Sequence, residues 1–393
     1  MKSILVFALL LSLMPIQVLS HPSPIALTTL VFPACLLLLG IRLTKWTHLT
    51  LLVLGYGLII ALLHGMYTSS VHPLLSFLSF GTPLTGILLG LNEGKRNSEV
   101  PLFFKRFWVV SLLLAGALLV NLAGNNFVAR TSIQTVSDYH GYHSASSVAG
   151  SIYGAPMFAS FGVNSFAGIL ISFFFLSVFC IPRANRKVRF ILVISSIVIL
   201  LFGLLLQSRM FFLGFGTFLL VLVIRSGLPT RIRLTLLVTG LFTACAVLLF
   251  DPRIARFLEV LNESGMTADS MNILTSNRFS IWKDIKEGPN LLIGSAFGTI
   301  LDAEHASSSF HFYAITALAK GGIFFALPLF IMILRSLRRP RKGGVHLRSE
   351  NAVINAALWS FVAQSFVWDI FAVQVYGHIA WLFVGLSLSR RYA

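Results

Sequence analysis

Residues 190–224 read FILVISSIVILLFGLLLQSRMFFLGFGTFLLVLVI, a run in which Arg209 is the one charged side chain. At ~1.5 Å per residue a single helix of this length would run about 52 Å, far more than a ~30 Å hydrocarbon core accommodates. The flanks decide how it folds. Arg189 precedes the run and Arg225 follows it, and basic residues collect on the cytoplasmic side of a membrane. The stretch is therefore expected to be a helical hairpin, 190–207 and 210–224, that turns at Ser208-Arg209 on the opposite side. Residues 352–388 repeat the case, with Arg348 and Arg390 as brackets and Asp369 at the outer turn.

Working outward, apolar runs approaching the roughly 20 residues of a span recur along the chain. They are expected at 3–20, 25–41, 49–66, 73–91, 107–124, 157–181, 190–207, 210–224, 234–250, 310–334, 352–368 and 370–388. Composition agrees: 56% of the 393 residues are hydrophobic, 11% are charged and the mean hydropathy is +0.86, too apolar for a water-soluble domain. The fold class is an all-α integral membrane protein of about 12 transmembrane helices. With this topology 22 of the 30 Lys and Arg residues fall at cytoplasmic ends, from Lys2 to Arg391, and both termini are cytoplasmic. The net charge of +17 is then mainly a topology signal, and no nucleic-acid partner is implied. An alternative for the first segment is a cleaved signal peptide, since Lys2 precedes the apolar run and Val18-Leu19-Ser20 stands before His21. Cys35, Cys180 and Cys245 all lie inside spans, so neither a disulfide framework nor a zinc site follows.

Two outer connections are long, 125–156 and 251–309. They divide the chain into an N-terminal membrane region at 1–250, a large loop at 251–309 and a C-terminal membrane region at 310–393. The first connection contains His140-Gly-Tyr-His143, a pair of imidazoles with no third ligand nearby, and no metal is assigned to it. In the larger loop, Phe279, Trp282 and Ile285 recur every third residue after Arg278 until Gly288-Pro289 stops the run. This pattern suits a short amphipathic helix on the outer membrane surface, or equally one packed on the protein's own core. Gly294 to Gly298 then turns the chain before it re-enters the membrane near Phe310.

No phosphate-binding glycine loop, His-Glu-x-x-His or Gly-x-Ser-x-Gly occurs, which argues against ATP hydrolysis and soluble-hydrolase chemistry. The informative groups are polar and outward-facing. Arg209 turns the hairpin in apolar surroundings, where a guanidinium costs about 2.5–3.5 kcal/mol on insertion scales. It calls for an anion, unless it snorkels to headgroups. Arg278 begins the amphipathic helix, and His311 opens the tenth span. Two Arg forks and one imidazole suit a lipid-linked diphosphate: Arg matches phosphate oxygens, and a neutral His takes a proton from an attacking hydroxyl. Neither a metal nor another cofactor is needed. Asp369 and Lys320 lie on the same side as Arg209 and are expected as supporting groups, with Asp369 orienting one of the two cations.

Ser208-Arg209-Met-Phe-Phe-Leu213 resembles the Arg-x-x-x-Leu motif of bacterial O-antigen ligases, and His311, eleven residues before Gly322, has the spacing of that family's second motif. Asn277-Arg278 to Trp282, then Gly294 to Gly298, is similar to the Arg-and-Trp helix and glycine turn in the periplasmic loop of O-antigen ligases and O-unit polymerases. Asn164-Ser-Phe-Ala167 is similar to an Asn-x-x-Ala element of such chains. The resemblance covers mainly residues 157–325, and the order of loose motifs carries it. It implies a GT-C-type glycosyltransferase of the bacterial inner membrane whose large periplasmic loop carries short helices. Arg209 and Arg278 would bind the undecaprenyl diphosphate, His311 would activate the acceptor, and Trp282 would support the site. His305 is the runner-up for the acceptor role, since an alignment shifted by six residues selects it; the Gly322 spacing favours His311. Phe312 and Phe325 depart from the ligase pattern, which has smaller or polar residues, or Tyr at the second position.

The activity implied is transfer of a glycan from undecaprenyl diphosphate to lipid A core, without metal. The partners are the lipid-linked donor, that acceptor or a second lipid-linked glycan, membrane lipids and a chain-length regulator. An O-antigen polymerase using the same donor is the alternative. A polysaccharide transporter or flippase is a further one, disfavoured because Asp369 is the one carboxylate near a membrane interior and the halves show no repeat. His378, inside the last span, is read as packed and hydrogen-bonded.

Overall fold

The computed structural model describes residues 2–15, 17–19, 25–41, 43–92, 100–123, 163–205, 208–225, 231, 234–235, 238, 262, 292–298, 313–338, 345–366, 371 and 375–389. Twelve α-helices account for most of these: α1 Lys2–Ser12, α2 Leu27–Leu39, α3 Lys45–Thr68, α4 His72–Gly81, α5 Thr85–Asn92, α6 Val100–Ala123, α7 Val163–Cys180, α8 Arg186–Leu205, α9 Arg209–Arg225, α10 Tyr313–Leu337, α11 Val345–Ser365 and α12 Tyr376–Ser389. A 3-10 turn, Thr82–Leu84, joins α4 to α5 as one segment. A short antiparallel pair, Gln17–Leu19 with Ile25–Ala26, lies between α1 and α2.

Six segments among the described residues are long and apolar enough to cross a membrane, and α1, α2, α9 and α12 supply shorter apolar helices. The outer faces fit that setting: Leu52, Ile59 and Leu63 of α3 and Phe190 and Leu201 of α8 point outward, as lipid-facing residues do. The chain is an all-α membrane protein.

The break in the 190–224 run falls where its flanks place it. α8 ends at Leu205 and α9 starts at Arg209, with Phe211 closing onto Gly203 across the turn. Other ends differ from expectation. The first segment is helical only to Ser12, because Met14-Pro15 cannot extend a helix. Thr28 Oγ1 donates to the Ser12 carbonyl at 2.6 Å and closes that end. The turn expected at Asp369 alone is longer, since α11 stops at Ser365 and α12 begins at Tyr376. Of span 234–250 residues 234, 235 and 238 alone are described, and of 251–309 residues 262 and 292–298 alone.

α12 forms the centre of the bundle, buried along its whole length. It lies so close to α5 that a Cβ on Gly86 would strike the His378 carbonyl, one on Gly90 the Leu382 carbonyl, and one on Gly385 the Ile87 carbonyl. Small residues spaced by four are what allow helix backbones this contact in a membrane. His378 is fully buried against Phe32, with ring centroids 4.8 Å apart. It is packed as expected but not hydrogen-bonded: neither ring nitrogen finds a partner among the described residues, because its surroundings are an aromatic ring and helix backbone.

One end of the bundle is tied by polar contacts. Asn92 Nδ2 donates to the Gly40 carbonyl at 2.9 Å, and Arg183 forks onto Glu350 at 2.9 and 3.1 Å while lying over the Phe179 ring. A bidentate Arg–carboxylate pair fixes angle as well as distance, and here it fastens the α7–α8 connection to α11. The candidate residues belong to the opposite end.

Candidate functional site

Arg209 is the first residue of α9, and the Ser208 carbonyl accepts from Phe212 N at 3.2 Å in the first helical turn. Its neighbours Ser208 and Met210 are buried. Met210 occupies the space that the missing side chain of Gly168 leaves beside Tyr376: a Cβ there would sit 2.6 Å from Met210 Cε and 3.3 Å from the Tyr376 ring. The backbone of Arg209 is thus seated on α7 and on the start of α12. Asn164, whose resemblance lay in the same region, opens α7.

α9 runs antiparallel to α11, joined by Ser360 Oγ donating to the Gly214 carbonyl at 2.7 Å and by Gln364 Nε2 donating to Ser360 Oγ at 2.8 Å. The chain leaving α11 at Phe366 therefore heads toward Arg209. It is next described at Phe371, whose ring lies 5.3 Å from Tyr313 and 5.0 Å from Trp381 and whose carbonyl accepts from Trp381 Nε1 at 2.9 Å. Tyr313 is two residues beyond His311. Asp369 lies outside the described residues, yet its flanks run from the start of α9 to the start of α10. Under the transfer activity that the resemblance implies, Asp369→Asn is expected to lower activity about thirtyfold, the low end of the roughly 2–5 kcal/mol that losing one member of a charge pair costs, at unchanged protein level. An immunoblot alongside a transfer assay measures both, and wild-type activity removes Asp369 from the site.

α10 is discontinuous. Gly322 has φ 69° and ψ −172°, a break inside an otherwise helical segment. Docked on the break is the turn 292–298. Ser295 N donates to the Ala319 carbonyl at 2.7 Å and Phe297 N to the Lys320 carbonyl at 3.0 Å. The two glycines interlock: a Cβ on Gly322 would strike the Leu292 carbonyl, and one on Gly294, itself at φ 62°, would lie 2.6 Å from the Ala319 carbonyl. Phe297 drives its fully buried ring between Phe77, 5.1 Å away, and Phe325, 5.3 Å away. Phe325, a departure from the ligase pattern, thus serves as the wall for that ring. The glycine turn read from 294–298 is present, and it is seated in the bundle.

Lys320 is 6% exposed. Its Nζ donates to Ser76 Oγ of α4 at 2.9 Å and lies 5.8 Å from the centroid of Phe80, on which Tyr313 stacks. Ser76 lies one turn inward of His72 on the same helix face. His64 Nε2 would stand 2.9 Å from a Cβ on Gly298. His64 beside Gly298 and the buried Lys320–Ser76 pair thus flank the docked turn. Neither Ser76 nor Tyr313 was apparent from the sequence, because contacts 244 and 233 positions apart leave no local signal.

Strained backbone collects at this end as well. The non-glycine residues Ser69, Ala296, Phe297 and Val375 have positive φ, as do Gly294 and Gly322, while Gly40 does so at the other end. A buried β-branched Val375 at φ 67° is costly, roughly 1–3 kcal/mol, and such strain persists where surrounding structure enforces it, often beside functional sites. Arg278, Trp282, His305 and His311 lie outside the described residues, and of Arg209 the backbone alone is described. Among the described residues no group of three or more His, Cys, Asp or Glu could hold a metal ion. Comparison with models of protein families, with curated proteins and with solved structures finds no match for this chain.

Proposed function

We propose that this protein is a twelve-span, GT-C-type glycosyltransferase of the bacterial inner membrane, with both termini cytoplasmic, that moves a glycan from undecaprenyl diphosphate to lipid A core on the periplasmic face. The observation that carries the reading is the break at Arg209: a lone arginine heads a helix at the bundle end to which the chains entering α10 and leaving α11 converge. A helix N-terminus adds its own positive potential to a guanidinium there, and together they suit an anionic leaving group.

The chemistry needs three roles. Arg209 and Arg278 hold the diphosphate oxygens through planar forks. The acceptor hydroxyl attacks the anomeric carbon of the donor sugar, the carbon–oxygen bond to the diphosphate breaks, and undecaprenyl diphosphate departs with the electron pair. The imidazole of His311 takes the hydroxyl proton. Charge on the leaving group is neutralised by arginines, so no metal enters any step.

Lys320 serves as a supporting cation held by Ser76. Lys320→Met keeps the length of the side chain and removes the charge; transfer should fall at least tenfold with protein level retained, read by product gel and immunoblot. Unchanged transfer would make Lys320 a packing residue only.

The test of the reading is the lipopolysaccharide and lipid-linked glycan profile of a strain lacking the gene, complemented with wild type, Arg209→Ala or His311→Ala. Long polymer retained on undecaprenyl diphosphate over bare core is the expected result without activity. Core capped with single repeat units identifies the polymerase, which shares the donor and differs in acceptor. An unchanged profile contradicts both and returns a transporter or flippase to consideration.

A further inference from the structure

The large loop that the proposed function needs is anchored to the bundle at one described place, the turn 292–298, and the manner of anchoring is specific. A break in a membrane helix frees carbonyl groups, and in the absence of water each must find a donor or carry a large penalty. Here the donors come from the loop itself: Ser295 N and Phe297 N reach the Ala319 and Lys320 carbonyls directly before the break. Two further hydrogen bonds, from Ala296 N to the Ile293 carbonyl at 3.3 Å and from Gly298 N to the Ser295 carbonyl at 2.9 Å, hold the turn in shape. Phe297, at φ 63°, accepts a strained backbone so that its ring can fill the space between α4 and α10. Loop and break therefore complete each other, and neither is satisfied alone.

We infer that the turn 292–298 is a positioning element of the transfer site, docked on the broken α10 throughout turnover, and that Phe297 is the residue that seats it. The inference rests on the reading of His311 as the acceptor-activating group. The chain runs only thirteen residues from Gly298 to His311, and Tyr313 then stacks on Phe80, the same ring that borders Phe297 at 6.2 Å. Both ends of the segment carrying His305 and His311 are thus fixed to one aromatic cluster of α4 and α10. Such a clamp sets where an imidazole meets its substrate, and misplacement by about 1 Å costs on the order of a hundredfold in rate. The residue acts through His311 and touches no reacting atom.

Two experiments test this. In the first, Phe297→Ala and Phe297→Leu are purified and assayed with a lipid-linked glycan donor and lipid A core. Phe297→Ala should lower kcat at least tenfold with KM for the donor within twofold of wild type, and Phe297→Leu, which refills most of the space, should restore kcat. A Phe297→Ala enzyme with wild-type kcat, or one in which only KM rises, would overturn the inference.

The second does not depend on tolerance of a cavity. Ser295→Cys with Ala319→Cys is introduced into a variant lacking Cys35, Cys180 and Cys245 that transfers normally. An amide–carbonyl pair like this one sets the Cα atoms roughly 5–6 Å apart, within the reach of a disulfide. The crosslink should form on mild oxidation and leave transfer within twofold of the reduced enzyme. Failure to crosslink shows that the turn is not docked, and loss of transfer that a reductant reverses shows that it must leave the break; either result overturns the inference. The two readings fail separately. An inactive wild type removes the transferase proposal while the crosslink still reports on the joint, whereas an active enzyme indifferent to Phe297 removes the positioning role alone.

Discussion

Arg209→Lys is expected to lower glycan transfer by about two to three orders of magnitude, the loss typical of removing one donor that stabilises developing charge, with protein level in the membrane unchanged. The substitution keeps a positive charge and removes the planar fork. Lysine is a compact, strongly hydrated point charge, and it cannot pair two oxygens of a diphosphate at once. Level should hold because the seat of this residue is made by its neighbours: Met210 against Gly168 and Tyr376, and the first turn of α9 from the Ser208 carbonyl. An arginine that merely snorkels to headgroups would be replaced by lysine without effect. Full activity in Arg209→Lys, measured beside an immunoblot of membranes, therefore selects that alternative.

Gly322→Ala is expected to be damaging in a different way, lowering both transfer and protein stability. With φ 69° and ψ −172° Gly322 occupies a region essentially reserved for glycine, costing another residue on the order of 1–3 kcal/mol, and the added methyl would strike the Leu292 carbonyl of the docked turn. The turn must then move, and the Ala319 and Lys320 carbonyls lose Ser295 N and Phe297 N, at about 1–3 kcal/mol for each buried group left unpaired. A fall of several degrees in the unfolding temperature in detergent, with severe loss of transfer, is the expected pair of observations. Gly116→Ala in α6 is the control, since nothing lies within 4 Å of its added Cβ and alanine favours helix over glycine by about 1 kcal/mol. Equal behaviour of the two variants would show that the break in α10 does not depend on Gly322.

The elements that the sequence made legible are those set by a strong local signal. The α8–α9 hairpin follows from an apolar run too long for one crossing, with arginines at both ends. The glycine turn at 294–298 and its neighbour Gly322 were visible as residue types, because only glycine adopts left-handed backbone cheaply. What could not be read was that these two features face each other. Lys320 with Ser76, Tyr313 with Phe80 and the docking of Phe297 are tertiary contacts between distant segments, and side-chain periodicity carries no record of them. α1 ends well short of the apolar run 3–20 although the cause, Met14-Pro15, is in the sequence, because hydropathy continues past the proline. His378 differs in the opposite way: a polar side chain inside a span is expected to find a partner, and the glycine-lined contact of α5 with α12 gives it none among the described residues.

Seen from the bundle, the two ends divide the work. Arg183 with Glu350 and Asn92 with Gly40 fasten one end through side-chain hydrogen bonds. The other carries the break at Arg209, the break at Gly322 and the strained residues Ala296, Phe297 and Val375. A rigid base beneath a locally strained rim is an arrangement suited to holding reacting groups in fixed geometry.

The most direct measurement is transfer by the purified protein in lipid nanodiscs, given undecaprenyl-diphosphate-linked glycan and lipid A core in the presence of EDTA. The account predicts glycan on the core, release of undecaprenyl diphosphate, and no product with Arg209→Ala or His311→Ala. Absence of transfer by the folded wild-type protein to lipid A core or to a second lipid-linked glycan would contradict it.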